Sequence, residues 1–598
     1  MRTLVALLLA VLCAGLFWLI GSPTYVHPDE QFYTNSAIQM VHTGEYWTPF
    51  YPDGRLRLEK PILTYWAVAA SFHVFGINLF ASRFPSALAG VLVVCLTYQL
   101  ARTITASRPV AILAAAIIAG NVESLIVCTR ATPDALLCLF TLVSIWGIAR
   151  VLFQQDQSCV GPLLAFGGMG LAVQTKVLPG LWPLGAIAGF WIIGKPERRL
   201  TKKLLHWPAI TLGITMAVFW YAVMFHLHGS AAFRNQYEDQ LGSYVTFKPL
   251  EVLRNVAAYV WGGLQNFLPW ALLLLAMVFG QRAALAAFWR DRRPLVLFAL
   301  IPTILLIAAF SCGNIRGQRY LTPALPPLAI LVASLLVNVP VGETVWKWAR
   351  RVVWFAAGLG ILAGMGLLLA AGTNGCVLLI AGGSAMLAVG IAGVTVLRKA
   401  DRLSCWVWVA GLIATTFLVG RGCLEPVVSR QALPALAKRL LQQSQSGTRV
   451  YTWQVRPSRA GLLRVLTEGK VPITELQSNG ELPDLSGARL VVTTSPYQSL
   501  LHQAGYDVAQ IEPDRSACPW LQHLAQQLWP KRVKKETSAR ETYWLATRSS
   551  AGAQQSHLDE CPTCVPDSPA ALRGAVVGLA AAGRSSMMVA CQHPFRCR

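Results

Sequence analysis

Apolar residues gather along this chain in long blocks instead of alternating with polar ones. Blocks near the 18–20 residues needed to cross a hydrocarbon core recur at Leu4–Ile20, Phe84–Leu100, Val110–Ile126, Ala135–Leu152, Pro208–Phe225, Leu264–Phe279 and Leu295–Phe310. They continue at Leu321–Val339, Val352–Ala371, Val377–Leu397 and Cys405–Val419, with shorter ones at Gly161–Val173 and Leu178–Ile193. The pattern predicts about thirteen transmembrane helices. Between the first two blocks lies a polar, aromatic, proline-punctuated stretch, Gly21–Arg83, too long for an ordinary connector in a compact bundle. Within it, Pro61–Phe75 is apolar but short, which predicts a helix lying at the interface or packed on the bundle.

After Val419 the apolar blocks stop. Leu433–Gln443 has helical spacing, whereas Arg449–Gln454, Arg489–Thr494 and Tyr543–Thr547 are strand-like. The predicted organisation is a membrane domain over 1–420 with a long first outer loop at 21–83, a small soluble α/β domain over 421–548, and a tail of low order over 549–598. The tail is rich in Ala, Gly, Ser and Cys, and its Gly574–Gly583 run is too short to span.

Composition agrees with the blocks. Of 598 residues, 54% are hydrophobic and 13% charged, more apolar sequence than a soluble core of this length can hide. The net charge of +23 would suit a nucleic-acid binder. The basic residues instead cluster in short connectors, at Lys195–Lys203, Arg290–Arg293, Lys347–Arg351 and Arg398–Arg402. Alternating the spans puts all four on one side, as the positive-inside rule requires, and no nucleic-acid partner is expected. Arg2 then lies inside, and the long first block without an Ala-x-Ala-like site is expected to stay as an uncleaved span. The outer face receives Gly21–Arg83, Cys128–Asp134, Thr175–Leu178, His226–Gly263, Ser311–Arg319 and the α/β domain. Fourteen cysteines are scattered, several inside apolar blocks, and Cys561 and Cys564 form a single CxxC that suits a disulfide as well as a metal.

Candidate chemistry lies on those outer connectors. His27-Pro28-Asp29-Glu30 follows directly on the first span, where acidic side chains are costly unless they meet water, a cation or a partner. A solvated end with Asp29 capping the following helix is the plain alternative. Arg55, Arg57, Glu59 and Lys60 follow in the same loop, and Lys or Arg near an interface suits a phosphate. Other outer connectors carry Arg130 and Asp134, Lys176, His226 and His228, and Arg316, Arg319 and Tyr320. The His-x-His pair is weak as a metal motif. Neither a Walker loop nor a Rossmann glycine fingerprint is present, so no nucleotide cofactor is expected.

The run from His27 to Arg102 resembles the first outer loop of the membrane-embedded GT-C glycosyltransferases, nearest to their protein O-mannosyltransferase and lipid A aminoarabinose transferase group. The matching residues are Asp29-Glu30 with Tyr33, Gly44-Glu45-Tyr46-Trp47 with Pro49, and Glu59-Lys60-Pro61-Ile62-Leu63-Thr64-Tyr65-Trp66. Phe75-Gly76, Ser82-Arg83-Phe84-Pro85-Ser86-Ala87 and Gly90 extend the match. A thinner similarity runs through Asp134, Thr175-Lys176, His228-Gly229, Phe233, Pro269-Trp270 and Arg319-Tyr320, over roughly the first 340 residues. His27-Pro28 departs from this group and is similar to the lipid-linked mannosyltransferases of the same superfamily, and the tail matches nothing in it.

The resemblance implies an inverting transferase in the bacterial inner membrane, with catalytic loops and α/β domain on the periplasmic side. It would move a sugar (aminoarabinose, mannose or another pentose or hexose) from a polyprenyl-phosphate donor to a lipid A, glycan or protein acceptor. By resemblance, Asp29 and Asp134 are the catalytic acids, and Glu30, Tyr33, Arg57, Lys60, Lys176, Arg316, Arg319 and Tyr320 bind substrate. Glu59 and His228 would hold a divalent metal if one is used. A transporter of lipid-linked sugars would share the spans and the basic outer loops. It would, however, place its charges near the midplane and show internal repeats, neither of which the sequence has.

Overall fold

The computed structural model describes residues 13–23, 27–155, 158–194, 198–230, 248–313, 317–339, 342–374, 376–399, 401–428, 432–443, 448–476, 485, 488–494, 498–511 and 543–548. Most of Leu4–Ile20, residues 231–247 with Phe233, Arg316, and the tail with Cys561 and Cys564 lie outside the described residues.

The chain is a multi-pass α-helical membrane protein with a C-terminal α/β region. Among the described residues, eight helices are long and apolar enough to cross a membrane, or up to ten if each of two bent pairs is one span. The predicted block Val110–Ile126 is such a pair, Arg108–Ala119 and Val122–Cys128, bent by 61°. Asn121 caps the second half, its side chain accepting from the Ser124 amide at 3.0 Å. Gly120 permits the bend to pack closely, because a Cβ there would lie 2.4 Å from the Ala410 carbonyl oxygen. The second pair, Pro249–Asn266 and Trp270–Gly280, turns through 101° just ahead of Trp270, where Pro269 supplies no amide to continue the first helix. The expected spans at Gly161–Val173 and Leu178–Ile193 are realised as shorter apolar helices, Val160–Val173 and Trp182–Gly194.

The long loop over 21–83 has its own architecture. Glu30–Thr43 and Leu63–Phe75 are helices that pack on each other, and the second also packs on the span Leu79–Thr105. Gly44, at φ 73°, closes the first of them with its amide bonded to the Met40 carbonyl. Asn78 opens the following span by accepting from the Ala81 amide at 2.8 Å.

Among its described residues the C-terminal region holds five strands, β1 Val450–Trp453, β2 Ile473–Leu476, β3 Leu490–Thr494, β4 Tyr506–Gln510 and β5 Tyr543–Arg548, in the order β2-β1-β3-β5-β4. The first three are parallel, and β5 runs antiparallel between β3 and β4. This region shares one apolar core with the loop over 21–83: Leu433, Leu436, Leu463 and Val465 bury with Tyr33, Ala37, Met40 and Phe72. Its helix Pro457–Leu466 lies against Glu30–Thr43 so closely that a Cβ on Gly461 would come within 2.6 Å of Gln31 Cβ. The helix that follows Asp29 is therefore held between the α/β region and the bundle.

Candidate active site

Four separate connectors converge. Asp29 comes from the first loop, Asp134 from the first turn of the helix Pro133–Phe153, Lys176 from the turn after Val160–Val173, and Arg319 from the start of the segment Gln318–Asn338. Arg319 is the hub. Its Nη2 donates to Asp29 Oδ2 at 2.9 Å, and its Nε lies 3.7 Å from Asp134 Oδ2. Lys176 Nζ donates to the other Asp134 oxygen at 3.1 Å. Asp134 is thus a buried carboxylate with cations on both oxygens, and its place at a helix N-terminus favours the anion further.

Asp29 is the N-cap of Glu30–Thr43 but makes no side-chain capping bond. Its carboxylate turns to Arg319 instead and stays 39% exposed, so the capping alternative is set aside. Tyr320 completes the group, its ring under Lys176 Nζ at 4.4 Å and stacked on Phe310 at 5.0 Å between centroids.

Lys60 is placed next to this cluster. Burial, followed by the like charges of Lys176 and Arg57, pulls its ammonium down to about 8 against the opposing pull of Asp134 and Glu59. Half-buried beside Lys176 and Arg57, it adds to the positive charge gathered at this place.

Behind Lys60 stands a nest that fixes the loop. Arg57 donates from Nε to Tyr65 Oη at 2.9 Å and from Nη1 to Tyr51 Oη at 2.6 Å. Tyr51 donates in turn to Glu59 Oε1 at 2.8 Å, and the Arg57 guanidinium lies over the Phe32 ring at 4.3 Å. Burial and the neighbouring Glu59 carboxylate push the Tyr51 hydroxyl up to about 12, past the opposing Arg57 charge, so it remains a donor.

Three of the expected substrate-binding residues take other roles. Glu30 is 4% exposed, with Oε2 accepting from Arg83 Nη2 at 2.9 Å and Oε1 from the Ala131 amide at 3.1 Å. It ties the loop helix to the bundle. Tyr33 is 3% exposed and packs on Tyr65 at 5.1 Å between centroids, facing the core. Arg57 is likewise buried and spends its contacts on the loop itself.

The metal expectation also meets a different arrangement. Glu59 is engaged by Tyr51 and by Arg57, whose Nη1 lies 3.5 Å from Oε2, while His228 Nε2 bonds Thr48 Oγ1 at 3.0 Å. Among the described residues no group of three or more His, Cys, Asp or Glu side chains could hold a metal ion. Among the described residues, Glu59 and His228 are each held by other partners and are not joined in a metal centre.

Sequence reasoning missed Arg83 and gave His27 no role. An arginine within the first turns of the apolar span Leu79–Thr105 was the signal for the first, since such a charge persists only with a partner. His27 sits inside the cluster, with Nε2 2.8 Å from Arg319 Nη1 and Nδ1 3.8 Å from Asp29 Oδ2. Burial and the positive charges of Arg130 and Arg319 lower it to about 4, so it is neutral near pH 7.

Comparison with known proteins follows the same lines. Residues 59–222 match the family described as dolichyl-phosphate-mannose-protein mannosyltransferase. An uncharacterized protein of Aquifex aeolicus is 27% identical over 327 residues, 54% of this chain and 61% of its own length. The undecaprenyl phosphate-alpha-4-amino-4-deoxy-L-arabinose arabinosyl transferase 1 of Pseudomonas fluorescens is 29% identical over 383 residues, 60% of this chain and 64% of its own length. The chain thus spans less than two thirds of the length of these curated relatives. The crystal structure of ArnT from Cupriavidus metallidurans bound to undecaprenyl phosphate superposes with a TM-score of 0.67 at 17% identity, covering 92% of this chain and 98% of that one. The chain has the fold of that structure, matches the mannosyltransferase family over residues 59–222, and is similar in sequence to the undecaprenyl-phosphate aminoarabinose transferases.

Proposed function

We propose that this protein is an inverting glycosyltransferase of the bacterial inner membrane, taking a sugar from a polyprenyl-phosphate donor at the periplasmic face. The observation that carries the reading is the constellation of Asp29, Asp134, Lys176 and Arg319, assembled from four separate connectors. The names of its relatives support it as well, since those proteins are described as acting on undecaprenyl-phosphate aminoarabinose.

In the proposed reaction the donor phosphate seats among Lys60, Lys176 and Arg319, which stabilise the charge that grows on it as the anomeric C–O bond breaks. Asp29, the more exposed acid, takes the proton of the acceptor hydroxyl as its oxygen attacks the anomeric carbon from the opposite face. Asp134 keeps Lys176 and Arg319 aimed at the phosphate. The donor carries its own leaving group, so no nucleotide is consumed. The acceptor is a lipid A, glycan or protein hydroxyl exposed at that face.

The test is mass spectrometry of lipids, lipid A and envelope glycans from cells lacking the protein, complemented with the native chain or with Asp29→Asn. Loss of a sugar-sized mass that the native chain restores and Asp29→Asn does not is the expected outcome. Identical spectra in all strains, with secreted glycoproteins also unchanged, would remove the transferase reading.

A further inference from the structure

We propose that Gln318 is a positioning residue that aims Arg319 at the donor phosphate, from a seat that Gly262 opens on the helix Pro249–Asn266. The inference rests on the transferase reading, in which Arg319 meets that phosphate.

Arg319 stands at the start of the short 3₁₀ segment Gln318–Ala324, and its guanidinium works at the end of a long, flexible stem. Asp29 and Asp134 hold the tip, at 2.9 and 3.7 Å. They are also the anions with which a bound phosphate would compete, so the aim of the stem has to be set from its backbone end. Two neighbours set it. Tyr320 stacks on Phe310, near the end of the helix Arg293–Ser311, at 5.0 Å between centroids. Gln318 reaches the helix Pro249–Asn266 instead, where its Nε2 donates to the Ala258 carbonyl at 3.1 Å.

That carbonyl lies inside a helix, where the amide four residues on, that of Gly262, is its regular partner. A carbonyl oxygen has a second lone pair, and Gln318 uses it. The approach depends on a missing side chain, because a Cβ on Gly262 would lie 2.0 Å from both Cδ and Nε2 of Gln318. Glycine weakens a helix interior, and its use there suits a close approach of this kind. Gly263, the next residue, is different: a Cβ there meets nothing within 4 Å.

The same helix face also grips the beginning of the connector that leads to Arg319. Asn255 lies about two turns before Gly262 and so on the same side. It is 2% exposed, and its Nδ2 donates to the carbonyls of Ser311 and Gly313, both at 2.8 Å. Asn255 thus holds the connector where it leaves the helix Arg293–Ser311, and Ala258 with Gly262 holds it where Arg319 begins. With the backbone fixed at both ends, the guanidinium can pass from Asp29 to a phosphate by turning its stem alone.

The experiment measures binding of undecaprenyl phosphate to the full chain in lipid nanodiscs. The variants are Gly262→Ala, Gly263→Ala, Gln318→Met and Arg319→Ala, with the first and third also combined with Arg319→Ala. Arg319→Ala should weaken binding about 10-fold or more. Gly262→Ala, which pushes Gln318 off its seat, and Gln318→Met, which keeps the stem and removes the donor, should each weaken it about 5-fold or more. Gly263→Ala should stay within about 2-fold, and helix propensity favours alanine equally at both glycines. In the Arg319→Ala background the Gly262→Ala and Gln318→Met losses should shrink to less than about 2-fold, because a residue that acts through Arg319 then has nothing to aim. Native affinity in either single variant would overturn the proposal. So would losses of the same size with and without Arg319, the mark of a general loosening of the fold. If the native chain bound no undecaprenyl phosphate, or Arg319→Ala bound it as tightly, the donor reading itself would fall and take this proposal with it.

Discussion

Replacing Arg83 with methionine is the sharpest perturbation of the scaffold under the site. The Arg83 and Glu30 side chains are 2% and 5% exposed, with Nη2 donating to Oε2 at 2.9 Å. Arg83 Nη1 also donates to the Ser22 carbonyl at 2.8 Å and the Ile20 carbonyl at 3.3 Å, joining the end of the first span to the start of the loop helix. Methionine keeps much of the stem and removes the charge, which leaves the Glu30 carboxylate buried with the Ala131 amide. Removing one partner of a buried ion pair costs about 3–5 kcal/mol, mostly the desolvation of the charge left behind. The assay is equilibrium unfolding in mixed micelles, followed by tryptophan fluorescence, comparing Arg83→Met, Glu30→Gln and the double variant. The double variant should regain at least about 2 kcal/mol over Arg83→Met, because with both charges gone nothing ionic stays buried. An Arg83→Met protein within about 0.5 kcal/mol of the native chain would refute the reasoning, since it would mean that Glu30 is solvated.

Other expectations follow from the site and its supports. Lys60, lowered to about 8, is charged below that pH and loses its charge above it, so donor affinity should fall as pH rises through about 8. Lys60→Arg should flatten that alkaline limb, and binding of undecaprenyl phosphate measured from pH 6.5 to 9.5 checks both. Asp134→Asn leaves Lys176 and Arg319 without their shared anion, and should raise donor KM or lower kcat by about 10-fold or more in steady-state assays. Gly461→Leu places a side chain where Gln31 Cβ is already 2.6 Å from a Cβ position. It should loosen the α/β region from the loop helix, seen as faster proteolysis within 432–548 and reduced transfer, whereas Gly505→Ala, with open space around a Cβ, should cost no more than the strain of its positive φ.

The membrane helices were legible because block hydrophobicity is a strong signal, and Asp29, Asp134, Lys176 and Arg319, all singled out on connectors between the blocks, meet at one place. What the sequence hid was geometry within a block: the 61° bend at Gly120-Asn121 and the 101° turn before Trp270 lie inside runs that read as ordinary apolar sequence. In the α/β region β1, β3 and β5 were readable, but β2 and β4 are short sheet edges with exposed residues and no clean alternation. Glu30, Tyr33 and Arg57 were assigned to substrate through the family resemblance, which carries no information on where each side chain points. Successive helical residues point about 100° apart, so Glu30 turns inward to Arg83 while Asp29 faces outward. His27 carries no sequence signal of its contact with Arg319, because 292 residues separate the two.

The central claim is tested most directly by reconstituting the purified chain in liposomes with undecaprenyl-phosphate sugars and following release of free undecaprenyl phosphate with an acceptor lipid or glycan present. The account predicts release with at least one such donor and inversion at the anomeric carbon. It also predicts a rate about 10²- to 10⁴-fold lower for Asp29→Asn in protein that still binds donor. Equal rates for the native chain and Asp29→Asn would contradict it.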